Sequence, residues 1–176
     1  DHWLGADRIR QQLHPALVAV SQQAQELTHL GILSGTDVLY VDKVEPQRAL
    51  RVWSRVGSTV PAATTALGRA LLATTPLTRD QLPPFLAHLP GTPDAAAVWE
   101  QLTSARARGY ARENEENEPG IACVGFALLR QGTAVAALSV TAPADRMTEA
   151  RVDEVVGIVR STLPPLLPEG IRLPPP

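Results

Sequence analysis

The first part of the chain has a helical hydrophobic period. From about Ala6 to His29, apolar residues recur at alternating steps of four and three, which predicts one amphipathic helix. These apolar residues, called the seam here, are Leu13, Leu17, Val20, Ala24 and Leu27. The seam would either pack against its own domain, which is the simpler interpretation, or contact a second copy of the chain. The pattern leaves both open.

The period then changes to two, which is typical of strands. The stretch LGILSGTDVLYVDKVE predicts a β-hairpin whose turn is Ser34-Gly35-Thr36-Asp37. The next stretch, RALRVWSRV, runs from Arg48 to Val56 and alternates apolar with polar residues. It predicts a third strand, with Leu50, Val52 and Val56 on one face.

Helices are predicted in the middle of the chain. The stretch VPAATTALGRALLATTP begins with small residues and becomes an apolar helix from about Thr65 to Thr74. Capping residues predict a short helix at Thr78 and a longer one from Asp94 to Arg108.

Strands return in the last third of the chain. YARE predicts a short strand and NEENEPG a polar loop, and IACVGFALL and TAVAALSVTA predict two longer strands. A helix is expected from about Thr148, and the proline-rich tail LPPLLPEGIRLPPP is expected to be irregular and frayed. Segregated strands and helices predict an α+β domain with a largely antiparallel sheet.

Composition narrows the class of protein. The 176 residues suffice for one domain, and the net charge of −2 gives no electrostatic footprint for DNA or an anionic membrane. The single cysteine, Cys123, excludes an intramolecular disulfide and fits a reducing, cytoplasmic compartment. We expect no membrane span, no signal peptide, no metal and no cofactor. The four histidines show no close metal-ligand spacing, and GxSxG, P-loop and GxGxxG motifs are absent.

Strand parity points to one candidate site. Because side chains alternate between the faces of a strand, Cys123, Ser139 and Thr141 share a face with small residues. Those small residues are Gly125, Ala127 and Ala137, while the opposite face carries bulky apolar ones. A face of small residues with thiol and hydroxyl groups would line a cavity, or it would pack tightly against a helix. Parity alone does not decide between them.

A second candidate feature is the start of the helix that follows the small residues. The first turn of a helix has main-chain N–H groups without internal partners, which favour an anion. Thr65, Ala66 and Leu67 lie there, so a carboxylate would need no basic side chain. An ordinary capped helix start is the plain alternative. The nearby Glu113, Glu115, Glu116 and Glu118 are interpreted as a solvated loop.

Three stretches carry a resemblance to a known family. They are VPAATTALGRALLA, RGYARENEENEPGIACVGFAL and AALSVTAPADRMT, in that order. They resemble the signature segments of the effector-binding domain of IclR-type transcriptional regulators. The resemblance implies a GAF-like or profilin-like α+β domain with a central antiparallel sheet, which binds a small organic or aromatic acid.

The resemblance also implies a site. The carboxylate of the effector would meet the backbone at Ala66 and Leu67, and Val52 and Val60 would close the pocket with apolar contacts. The polar groups would be supplied by Glu113, Cys123, Ser139 and Thr141. Three residues depart from the family pattern: Ala63 stands where histidine is usual, Glu113 where aspartate is usual, and Thr141 where serine is usual.

The expected organisation follows. Residues 1–29 would be a linker helix, residues 30–165 the effector-binding domain, and residues 166–176 a proline-rich tail. The resemblance implies a winged helix-turn-helix DNA-binding domain upstream, a dimer or tetramer, and contact with DNA only through that upstream domain. It favours a sensor, not an enzyme. The rival interpretations are a GAF-like redox enzyme that uses Cys123 and an oligomerisation module with a vestigial pocket.

Overall fold

The structure is a computed structural model that describes residues 2–47 and 54–176. Seven strands of the described part form one sheet in the order β3-β2-β1-β6-β5-β4, with β7 paired to β5, and every pair is antiparallel. The strands are β1 (Leu27–Ser34), β2 (Asp37–Val44), β3 (Thr59–Pro61), β4 (Ala111–Asn114), β5 (Ile121–Arg130), β6 (Thr133–Pro143) and β7 (Ile171–Arg172). The predicted α+β class with an antiparallel sheet is confirmed.

The described residues form four α-helices that flank the sheet: α1 (His2–Ala24), α2 (Ala66–Ala73), α3 (Ala95–Arg108) and α4 (Glu149–Thr162). The predicted cap at Asp94 is present, since its side chain accepts from the Ala96 N–H at 3.0 Å. Thr148, near which the last helix was expected to start, caps α4 by accepting from the Arg151 N–H at 3.2 Å. Helix α3 ends at Gly109, whose φ of 85° only glycine adopts without strain. The region from Thr78 forms two short 3₁₀ helices, Arg79–Gln81 and Pro83–Phe85.

The two faces of the sheet are covered as parity predicts. The bulky face packs against α1 and α4 in the main core. Its buried residues include Val124, Phe126, Leu128, Leu138 and Val140 from the sheet, with Leu13 and Leu17 from α1 and Val155 and Val159 from α4. The opposite face carries the small residues and packs against α2 and α3.

Helix α2 lies directly on part of the small face. A Cβ atom on Gly125 would lie 2.3 Å from the main-chain oxygen of Ala66, and one on Gly31 would lie 3.1 Å from Leu67 Cδ1. No side chain fits at Gly125 without moving the helix. Tight helix-on-sheet packing therefore explains Gly125, while the polar residues of this face need another account.

The first helix is shorter at its end than the sequence predicts. Helix α1 stops at Ala24 because Gln25 adopts a left-handed φ of 54°, and Leu27 and His29 belong to β1. The helical part of the seam is fully buried in the main core of its own domain. The seam is therefore an internal contact and is not available to a second copy.

The prediction of a third strand from Arg48 to Val56 is wrong for the residues of this stretch that the structure describes. Residues 48–53, which include Leu50 and Val52, lie outside the described residues. Ser54, Arg55 and Val56 are irregular, and β3 begins only at Thr59. Ser58 and Gly57 still exchange main-chain hydrogen bonds with Tyr40, so this segment runs along β2 before β3 begins.

The prediction of a frayed tail is wrong. After the 3₁₀ turn Pro164–Leu166, Ile171 and Arg172 pair with Arg130 and Leu129 of β5 as strand β7. Ile171 is 5% exposed and belongs to the main core. Pro174 and Pro175 then line a cavity of about 220 Å³ with residues of α2, α3 and β5. The prolines prevent a long strand but permit a two-residue one.

Candidate functional site

Five polar side chains form a continuous row on the small face, named here the polar row: Glu113, Cys123, Thr141, Ser139 and His29. The register places Glu113 of β4 opposite Cys123 of β5, and Cys123 opposite Thr141 of β6. Ser139 of β6 lies opposite His29 of β1. Four of the five are at most 4% exposed, and Cys123 is half-buried. The structure thus brings together the four polar site residues predicted from the sequence and adds His29.

Hydrogen bonds connect members of the polar row. Cys123 Sγ lies 3.2 Å from Thr141 Oγ1, which lies 3.5 Å from His29 Nδ1. On the other side of the imidazole, His29 Nε2 lies 2.7 Å from Ser54 Oγ. The ring of Tyr40 on β2 packs against His29 with a centroid separation of 4.7 Å. The site therefore extends across five strands, with the ring of Tyr40 at its β2 end.

The start of α2 lies beside this row. Because Ala66 covers Gly125, and Gly125 pairs with Ser139, the first turn of the helix sits over the residue opposite Ser139. The hydroxyl of Thr65 is used within the cap, since it donates to Pro61 O at 2.7 Å and accepts from the Gly68 N–H at 3.2 Å. The N–H groups of Ala66 and Leu67 have no hydrogen-bond partner among the described residues.

Glu113 is the carboxyl group of the row. Its Oε2 accepts the main-chain N–H of Glu116 at 2.8 Å and, more weakly, that of Asn117 at 3.5 Å. Burial raises the pKa of Glu113 from 4.5 to about 7, and the amides and the charge of Arg69 oppose that rise only in part. This carboxyl group therefore changes its charge near neutral pH.

Arg69 of α2 fixes the loop that carries Glu116. The Arg69 side chain is only 1% exposed, and its Nε donates to Ala63 O at 2.9 Å. Its two terminal nitrogens donate to the two carboxylate oxygens of Glu116, each at 2.6 Å, and Nη1 also donates to Arg112 O at 3.1 Å. The loop between β4 and β5 is thus held to α2 by a bidentate ion pair.

The other titratable groups of the polar row, and Tyr40 beside it, are neutral near pH 7. Burial, with the charge of Lys43, lowers the pKa of His29 to about 4. Burial raises the pKa of the Cys123 thiol to about 12 and also raises the pKa of Tyr40. Cys123 is therefore a neutral thiol, which is a poor nucleophile, and the charged groups of the described residues that act on it, Glu113 and Glu118, raise its pKa further.

Of the two apolar residues predicted for the pocket, one lies in the described part of the chain. Val60 is half-buried on β3, pairs with Val38 of β2, and packs with the apolar cluster under α2. Val52 lies outside the described residues. The sequence analysis missed His29, which it assigned to the end of a helix, and Tyr40 and Arg69. Period-two alternation from Leu27 onward is the signal that would have placed His29 on a strand.

Two classes of site are absent from the described part of the chain. Within residues 2–47 and 54–176, no three side chains of His, Cys, Asp or Glu converge to hold a metal ion. Nor does any helix of that part have the length and hydropathy needed to cross a membrane.

Comparison with known proteins decides the family. The profile of the bacterial transcriptional regulator IclR C-terminal domain matches residues 2–163. The chain belongs to the IclR family. It corresponds to the C-terminal, effector-binding domain of IclR-family regulators, and its α+β fold is consistent with the GAF-like class.

Among curated IclR relatives, the transcriptional regulator XynR of Escherichia coli is 34% identical over 157 residues, which are 85% of this chain and 62% of XynR. The chain thus spans about three-fifths of that relative. The named relatives are transcriptional regulators, so the comparison gives no support to an enzymatic role.

Two solved IclR structures resemble the fold over most of the chain. The IclR of Thermotoga maritima has a TM-score of 0.79 and 31% identity, covering 90% of this chain and 66% of that one. An IclR homologue of Microbacterium hydrocarbonoxydans, solved with 4-hydroxybenzoate, has a TM-score of 0.75 and 26% identity. The match covers 92% of this chain and 69% of the homologue.

Proposed function

We propose that this domain senses a small organic acid. The carboxylate of the acid binds the main-chain N–H groups of Ala66 and Leu67. Its other polar groups reach Glu113, Cys123, Ser139 or Thr141, and Val60 closes the site with apolar contacts.

The observation that carries this proposal is the polar row beside the start of α2. Burying polar groups is costly unless they find partners, and domains bury few without a reason. Here several lie on one face, next to two unpartnered helix-start amides whose partial positive charge favours an anion. A ligand with one carboxylate and a second polar group satisfies both.

The spacing limits the size of the acid. Gly125, under the helix start, and Cys123 are two residues apart on one strand, which is about 7 Å. Glu113 is the directly opposed neighbour of Cys123, so it is the diagonal neighbour of Gly125, about 7–8 Å from it. A short hydroxy or keto acid, or a single aromatic ring with a carboxylate, spans this distance. The 4-hydroxybenzoate of the Microbacterium homologue is an acid of that size.

The proposed output is control of DNA binding. An upstream winged helix-turn-helix would contact DNA in the bacterial cytoplasm, and acid binding to this domain would change that contact. We also propose a homo-dimer or homo-tetramer. A groove whose lining includes Ile9, Ile32, Leu33 and Val135 supports a contact surface outside the seam. Light scattering at micromolar concentration tests the assembly.

A panel of acids tests the sensing function. Acetate, pyruvate, benzoate and 4-hydroxybenzoate are added in turn, and the melting temperature is measured. A binder present at about 100 times its dissociation constant stabilises by roughly 2.7 kcal/mol, or very roughly 5–10 °C for a domain of this size.

Ser139→Leu is the matching variant, because the larger side chain fills the site and should abolish the rise. Thr141→Val removes a hydroxyl of the polar row without adding volume, so it should weaken binding. It serves as the test variant if Ser139→Leu misfolds. Thr133→Leu, at the exposed start of β6, is the control and should keep the full rise. If Ser139→Leu folds and binds the same acid unchanged, the site lies elsewhere. If no acid of the panel binds, an oligomerisation module with a vestigial pocket becomes the better account.

A further inference from the structure

Only one of the two carboxyl oxygens of Glu113 accepts hydrogen bonds from the described residues. Its Oε2 holds the loop through the N–H groups of Glu116 and Asn117. Its Oε1 makes no hydrogen bond with the described residues. The residue is 4% exposed and directly opposes Cys123, so an almost fully buried side chain of the polar row keeps one oxygen that the described residues do not use.

The charges around Glu113 do not neutralise it. The cation that acts on it is Arg69, whose guanidinium already makes a bidentate pair with Glu116 and hydrogen bonds to two carbonyl oxygens. Glu116 and Glu118 add negative charge nearby, since Glu116 acts on Glu113 and Glu118 acts on Cys123. From β5 and β2, Cys123 and Tyr40 face this region as neutral groups.

An acid effector brings a second negative charge into this setting. Two carboxylates that share a poorly solvated site repel each other, which favours the protonated form of one of them. A protonated Glu113 removes the repulsion and gains an O–H donor for a hydroxyl, keto or carboxylate oxygen. The main-chain N–H groups of Ala66 and Leu67 then carry the remaining charge of the acid.

We propose that binding of an acid effector in this site is coupled to the uptake of one proton by Glu113. The proposal rests on the function proposed above and adds its regulation: the domain binds an acid anion together with a proton. It would therefore respond to an acid more strongly as the pH falls.

The size of the effect follows from linkage. A small carboxylic acid ionises near pH 4, roughly, so it remains an anion from pH 6 to 8.5. His29 has already lost its proton below this range, and Cys123 keeps its own throughout. With a Glu113 pKa of about 7 in the free domain, the dissociation constant should rise roughly tenfold per pH unit above 7. That amounts to about 30-fold between pH 6.0 and 8.5.

Titration calorimetry with benzoate and 4-hydroxybenzoate tests the proposal. The dissociation constant is measured at pH 6.0 and 8.5, and the heat at pH 8.0 in two buffers of different ionisation enthalpy gives the number of protons taken up. We expect a ratio of dissociation constants of about 30 and an uptake approaching one proton.

The decisive variant is Glu113→Gln, which keeps the shape of the side chain and cannot titrate. The ratio between pH 8.5 and 6.0 should fall to near one. Glu115→Gln, in the same loop and exposed, is the matched control and should keep the ratio of about 30.

The outcomes separate the two proposals. Binding that is equally tight at both pH values, with no proton uptake, overturns the proton coupling and leaves the acid sensor intact. An unchanged ratio in Glu113→Gln overturns the assignment to Glu113. No binding of either acid at either pH overturns the coupling, and failure of the whole panel overturns the acid sensor as well.

Discussion

Arg69 and Glu116 form an ion pair whose two partners lie in different environments. Both N–O distances are 2.6 Å, but the Arg69 side chain is 1% exposed and the Glu116 side chain is 44% exposed. Arg69 also donates to Ala63 O and Arg112 O, so it is the buried centre of the contact between α2 and the β4–β5 loop.

We predict that Glu116 matters more to stability than its exposure suggests. Glu116→Gln should cost about 3–5 kcal/mol, because it leaves the buried guanidinium of Arg69 without its counter-ion. Glu115→Gln, at the exposed neighbouring position, is the control and should cost under about 1 kcal/mol. Urea denaturation measures both, and equal losses would contradict this account.

The stability of the domain should depend on pH through Glu113. Burial raises the pKa of Glu113 from 4.5 to about 7, so between these values the folded state binds more protons than the unfolded state. The unfavourable contribution of Glu113 to the free energy of folding is absent below pH 4.5. It grows as the pH rises from 4.5 to 7 and is complete above pH 7.

Glu113→Gln should therefore stabilise the domain at pH 8.5 by up to about 3 kcal/mol and change little at pH 5. Urea denaturation at the two pH values measures the difference. A variant that is less stable than the parent at pH 8.5 would show that the ionised carboxylate is favourable in the fold.

The tail should contribute to stability. Ile171→Ala removes a buried side chain from the main core and should cost about 2–5 kcal/mol. Leu166→Ala, at a side chain that is 41% exposed, is the control and should change stability by roughly 0.5 kcal/mol or less. If the two variants are equally stable, the tail does not pack in solution as it does here.

The chain by itself should not bind duplex DNA specifically. Its net charge is −2, and no recognition helix with clustered Arg or Lys is present among the described helices. Mobility shifts with random and operator-like duplexes at moderate salt check this. A sequence-specific shift would contradict the assignment of DNA binding to an upstream domain.

The parts of the site that follow from local periodicity could be predicted from the sequence. Strand parity is a property of two residues at a time, so it placed Cys123, Ser139 and Thr141 on one face. The helix start near Thr65 was predicted from the small residues that precede an apolar run. The family resemblance then supplied Glu113, which parity alone did not connect to β5.

The parts of the fold and of the site that depend on residues distant in the sequence could not be predicted in this way. Arg69 reads as one more polar residue of a short helix, because the groups it binds include Arg112 and Glu116, more than forty positions away. His29 was lost when the helical period was extended past Gln25, whose left-handed backbone leaves no mark in the apolar pattern. In the tail, Ile171 pairs with a strand forty residues earlier, and a two-residue strand has no period to detect.

The sheet separates the polar row from helix α1. Along β6, Ser139 and Thr141 belong to the polar row, while their neighbours Leu138 and Val140 belong to the core that contains Leu13 and Leu17 of α1. Because side chains alternate between the two faces of a strand, any displacement of β6 would change the packing on both faces at once.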